Sequence, residues 1–199
     1  MVNKNNLILL SIVSLIYITL PLLILLGILS FDNKFLYLTI GAAIVYVVLR
    51  VIGFNNQELG ITTKGTRESI KKVIPITIIL TILGLILIYF RISRFYPTET
   101  MWFYSFYLFI SSPVQEFLYR GALTSIFRRM NLSDSWNWGI SSLLYSFVHI
   151  IYRDFLTCLL TLIIGLIWYK NYEKNRNIIG ISLSHAVLGA ITIFAGIID

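Results

Sequence analysis

Ser111-Ser112-Pro113-Val114-Gln115-Glu116-Phe117-Leu118-Tyr119-Arg120-Gly121 places a carboxylate and a guanidinium inside an apolar run that begins near Met101. Each such group costs about 2.5–3.5 kcal/mol at mid-bilayer even on mild insertion scales, so a chain keeps them only if they are paired, hydrated or useful. Glu116 and Arg120 are four residues apart, so on a helix they share a face and pair. Gln115 is rotated by one residue, toward the face carrying Ser112 and Tyr119. This stretch is expected to form one wall of an active site within a membrane, or of a site descended from one.

The rest of the chain agrees with a membrane setting. Of its 199 residues 57% are apolar and 13% charged, with a mean hydropathy of +0.83, against about 45–50% and 25% in soluble domains. Runs of about 20 apolar residues read as transmembrane helices. We expect an all-α polytopic bundle with seven spans, roughly 7–29, 35–53, 73–91, 100–123, 137–152, 155–170 and 178–198. Residues 1–99 read as supporting spans for residues 100–199. Thr66 to Lys72 read as a short amphipathic lead-in to the third span. The basic residues are dispersed through loops, which excludes a nucleic-acid module. The single cysteine, Cys158, excludes an internal disulfide and reads as a packing residue.

Charge orients the bundle. With a cytoplasmic N-terminus, eleven of the sixteen cations fall inside: Lys4, Arg50, Lys64, Arg67, Lys71, Lys72, Arg128, Arg129, Lys170, Lys174 and Arg176. Lys34, Arg91, Arg94 and Arg153 fall outside, as does the C-terminus at Asp199. That bias follows the positive-inside rule and suits a cytoplasmic membrane. Trp102, Phe103, Tyr104, Phe106 and Tyr107 read as an outer aromatic belt. Trp136, Trp138, Trp168, Tyr169 and Tyr172 read as an inner one.

His149 and His185, the only histidines, both lie in apolar runs, where ionisable groups are functional by default. Counted from Arg128, Trp138 and Asn177 as inner-boundary markers, Glu116, His149 and His185 lie twelve, eleven and eight residues away. At 1.5 Å per residue these offsets are about 18, 16 and 12 Å, a similar depth on three helices, taken as the inner half of the bilayer. A carboxylate and two imidazoles at one level suit proton transfer or, at the minimum quota of three ligands, zinc. The helix pair His-Glu-x-x-His of common zinc proteases is absent. A plainer alternative is an ion pair tying helices together, with His185 bonded to nearby Ser182 or Ser184.

Gln115-Glu116-Phe117-Leu118-Tyr119-Arg120-Gly121, followed by His149 and then His185, resembles the CPBP family. These are CAAX proteases and bacteriocin-processing membrane proteins, related to the eukaryotic Rce1-type prenyl-protein endopeptidase. The family pattern is Glu-Glu-x-x-x-Arg, Phe-x-x-x-His and His-x-x-x-Asn, and the likeness covers roughly residues 100–199. It implies an intramembrane endopeptidase acting through an activated water without a catalytic metal. Gln115, Glu116, His149 and His185 would line the water site and Arg120 would support Glu116. Substrates would be a membrane-associated peptide or a prenylated protein entering from the cytoplasmic half.

Two positions depart from the pattern: Gln115 stands for the first Glu and Gly189 for the Asn, while Tyr145 stands for the Phe. An amide cannot be a general base. Glu116 would then be the base, or Gln115 would orient a water that His149 or His185 deprotonates. Alternatively the chain no longer cuts peptides and is a membrane binding or bacteriocin self-immunity protein.

Overall fold

A computed structural model describes residues 8–9 and 11–198. Lys4, the start of the first expected span and Asp199 lie outside the described residues. Seven helices and no strand occur among the described residues. Helix α1 covers 13–25 and begins as a π-helix, Val13–Thr19. α2 is Lys34–Val51, α3 Thr66–Tyr89, and α4 a continuous rod over 101–129. α5 is Asp134–Phe147, extended by a 3₁₀ turn Val148–Tyr152; α6 is Phe155–Asn175 and α7 Ile179–Phe194. The segments Phe31–Val51, Thr66–Tyr89 and Phe155–Asn175 are long and apolar enough to cross a membrane. The expected lead-in at Thr66 to Lys72 is not separate: it is the first two turns of α3, because Gly65 at φ +75° ends the preceding loop and nothing breaks the helix after it.

Alongside a buried apolar core, the bundle exposes apolar surface and buries polar side chains. Ile78, Ile79, Ile82, Leu83 and Leu85 of α3 are about half exposed, as lipid-facing residues are, whereas Ser111, Ser112, Gln115, Glu116, Arg120 and Thr124 of α4 are buried. α4 therefore runs through the centre of the bundle. Around it α3 packs on α7 and α5 on α6. The α3–α7 crossing is tight because Gly180 lets the backbone of Ser69 and Ile70 within 2.6–2.7 Å of where a Cβ would stand.

The two ends of the bundle are closed differently. At the cation-rich end the turn 54–60 folds inward, burying Phe54 and Leu59. The Leu59 carbonyl packs on Gly121, 2.5 Å from the site of a Cβ. Ser125 donates to the Glu58 carbonyl at 2.6 Å, and Arg129 donates to the Gly53 carbonyl at 2.8 Å and to the Glu58 carboxylate at 3.0 Å. At the opposite end Asp154 caps α6, accepting from the Thr157 N–H and hydroxyl, and pairs with Arg94 at 2.6 Å. The Arg94 guanidinium, then the Thr157 donors, hold the Asp154 carboxyl well below the usual carboxylate range.

Two outcomes follow for stability in detergent. Gly121→Ala and Gly180→Ala each push a methyl into backbone and should cost about 1–3 kcal/mol in unfolding measurements. Gly139→Ala, with nothing within 4 Å, should be neutral or stabilising by up to about 1 kcal/mol. Since the folded value of Asp154 is depressed, its contribution is present above about pH 4 and lost as pH falls below that. Asp154→Asn, which keeps a capping oxygen, should melt lower at neutral pH and lose less on acidification than the parent chain.

Candidate active site

The register of α4 brings the site together. It alternates α and π turns: Tyr107–Ser111 and Phe117–Ala122 are π-helical, flanking the α segment Ser112–Glu116. Pro113 has no N–H to continue an α ladder, and the preceding turn closes with the Ser112 N–H bonded five residues back to the Tyr107 carbonyl. Such π turns recur at functional sites. Here they surround the Gln115–Glu116 pair.

Glu116 and Arg120 are fully buried and form an ion pair, Nη1 to Oε1, at 3.1 Å. The same Oε1 accepts from His185 Nδ1 at 2.7 Å. A carboxylate only accepts, so Nδ1 carries the proton, and the other ring nitrogen, Nε2, meets the Tyr145 hydroxyl at 3.3 Å. Arg120 also donates to the Gly165 carbonyl at 3.2 Å and lies over the Tyr145 ring at 4.2 Å. The His185 ring stacks on Trp168, with centroids 4.7 Å apart. α4, α5, α6 and α7 are thus joined by one polar and aromatic cluster. His185 does not bond Ser182 or Ser184: Ser184 pairs with Thr77 and Trp168 instead.

Two cavities meet at this cluster. A small one of about 70 Å³, polar enough and large enough for water, is lined by Gln115, Tyr107, Tyr119, Val148, His149 and, toward the end of the bundle, Lys34, Phe35 and Tyr152. A larger apolar one of about 340 Å³ lies between α3, α6 and α7 and is lined by Leu83, Ile164, Trp168, Tyr145, His185 and Gly189 among others. Tyr107 and His149 line both. His149 Nδ1 lies 2.8 Å from the Tyr145 carbonyl, an acceptor only. Its proton therefore sits on Nδ1, and Nε2 keeps a lone pair. Gln115 lines the small cavity and donates to Ser111 Oγ at 3.0 Å.

The five residues singled out from sequence are brought to one place, but not into one role. Glu116 and Arg120 line neither cavity and stand behind the wall that His185 and Tyr145 form. As a zinc site the trio Glu116, His149 and His185 does not fit. His185 has both nitrogens engaged, and among the described residues no three His, Cys, Asp or Glu gather to hold a metal ion.

Tyr107 and Trp168 correct the aromatic-belt reading. They are only 7% and 2% exposed and face His185. Tyr169 and Tyr172 are buried too, while Trp102 and Trp136 are exposed as expected. A Cβ at Gly189 would overlap the Tyr107 hydroxyl and come within 2.6 Å of its ring carbons. The phenol occupies the space of a side chain at position 189. The missing side chain at Gly189 was the sequence signal that something else fills that volume.

Residues 97–191 match the family described as type II CAAX prenyl endopeptidase Rce1-like. No curated protein and no solved structure matches the chain.

The buried pair generates a double-mutant test. Removing one partner of such a pair costs about 3–5 kcal/mol, because it strands a charge. Arg120→Met should therefore unfold far more readily than the parent chain. Glu116→Gln with Arg120→Met should recover part of that loss, giving a coupling energy measurable by chemical unfolding in detergent.

Proposed function

With residues 97–191 forming an Rce1-like domain, we propose that the chain is an intramembrane endopeptidase in which His149, rather than a glutamate, is the general base. One observation carries the assignment: His149 borders both cavities and among the described residues no hydrogen-bond partner meets its Nε2, while Glu116 and His185 are bonded to each other.

The chemistry follows from these positions. Gln115 holds a water in the small cavity. His149 Nε2 takes its proton as the oxygen attacks a peptide carbonyl, and the resulting imidazolium returns the proton to the leaving amine. The Tyr107 hydroxyl, set in the room that Gly189 leaves, donates to the developing oxyanion. It thereby supplies the donor that the family pattern takes from Asn. Glu116, paired with Arg120, fixes the His185 ring, and His185 fixes the Tyr145 hydroxyl. The apolar cavity suits a substrate whose scissile bond adjoins an apolar segment, so the substrate class is a membrane-associated peptide.

Gln115 and Gly189 favour a second reading, a non-hydrolytic binding or self-immunity protein. The purified chain in nanodiscs, given a library of peptides with apolar segments and read by mass spectrometry, separates the two. Hydrolysis predicts cleavage that His149→Ala lowers by at least about 10²-fold. It also predicts that Tyr107→Phe lowers kcat by about 10²–10³-fold with KM little changed. Gln115→Glu should reduce cleavage, since a carboxylate beside His149 favours the imidazolium. A non-hydrolytic protein shows no cleavage in any of these forms and keeps its cellular phenotype in His149→Ala.

A further inference from the structure

We propose that the site opens to water on the cation-poor face of the membrane, the outer face by the positive-inside rule, so that its substrate is a peptide presented from outside. The substrate half of this rests on the endopeptidase reading; the direction of access does not.

Three observations carry it. First, the described cations divide by end: ten, from Arg50 through Arg176, sit where α2, α4 and α6 finish and α3 begins, and four, Lys34, Arg91, Arg94 and Arg153, sit at the other end. Such a bias marks the richer end as cytoplasmic. Second, the water-sized cavity that holds Gln115 and His149 reaches Lys34, Phe35, Tyr152 and Ile198, all at the cation-poor end. Third, the cation-rich end is stopped. Leu59 is fully buried and its carbonyl packs on Gly121, five residues along α4 from Glu116, or about 7.5 Å. Arg129 fastens that turn through Gly53 and Glu58.

This geometry reverses the cytoplasmic entry expected from sequence. A cytosolic prenylated C-terminus would have to pass the 54–60 turn. A secreted or externally exposed peptide with an apolar segment meets an open mouth.

Accessibility labelling decides the point without any substrate. In a Cys158→Ser background, three single-cysteine variants are made: Lys34→Cys at the mouth, Val148→Cys on the cavity wall and Lys174→Cys at the opposite end. Intact cells are treated with a charged, membrane-impermeant methanethiosulfonate, and the remaining thiols are counted after solubilisation. Lys34→Cys and Val148→Cys should be blocked in intact cells, and Lys174→Cys only after permeabilisation. The opposite pattern at Lys34 and Lys174 overturns the orientation. A Val148→Cys thiol blocked only after permeabilisation overturns the outward mouth, with Ile151→Cys, on the same cavity, as the second reporter should Val148→Cys fail to accumulate. Absence of peptide cleavage with the expected labelling would sink the endopeptidase reading alone.

Discussion

The Glu116 carboxylate holds the bundle's interior in place. It is fully buried, and one of its oxygens takes donors from Arg120 and His185. In a low-dielectric interior a stranded charge costs several kcal/mol, so each of these groups constrains the others. Because Arg120 also reaches the Gly165 carbonyl and His185 rises from α7, the pair fixes α4 against α6 and α7 together. Small residues make that approach possible: a Cβ on Gly165 would stand 3.1 Å from the Tyr145 ring and 3.3 Å from Arg120. The polar interior, not the apolar exterior, specifies which helices are neighbours. Lipid offers no hydrophobic force to do so.

From that constraint the division of labour follows. A histidine whose two nitrogens are both bonded is held in one ring orientation, and His185 is such a group. His149, on the 3₁₀ turn that ends α5, has one nitrogen fixed by its own helix and lines both cavities. The chain thus separates a rigid support, Glu116–Arg120–His185–Tyr145, from a wet wall, Gln115–His149–Tyr107.

Much of this was legible in the sequence. The apolar runs marked the helices, of which Phe31–Val51, Thr66–Tyr89 and Phe155–Asn175 are, among the described residues, long and apolar enough to cross a membrane. The i, i+4 spacing gave the Glu116–Arg120 pair, and the helical rise brought Glu116 and His185 to one level. Tyr107 and Trp168 were illegible because an aromatic near the end of a span reads as an interfacial anchor until its neighbours are known. The π turns of α4 have no composition of their own. Cytoplasmic entry was expected from placing Glu116 and His149 in the inner half, although offsets of about 16–18 Å from the inner boundary lie past the middle of a hydrocarbon core about 30 Å thick. The turn 54–60 reads as a polar loop, and only its fold reveals Leu59 as a stopper.

The two departures from the family pattern look different once the geometry is in view. A chain that had merely lost its function would be free to leave position 189 empty. Here the hydroxyl of Tyr107 fills the volume a side chain at Gly189 would need, so a residue larger than glycine at 189 requires the phenol to move. The same phenol lines both cavities beside His149. Tyr107, on α4, thus reaches the space beside α7 that a longer side chain at position 189 would take. Gln115 lines the same small cavity as Tyr107 and His149, so both departures from the pattern leave polar groups on that cavity's wall.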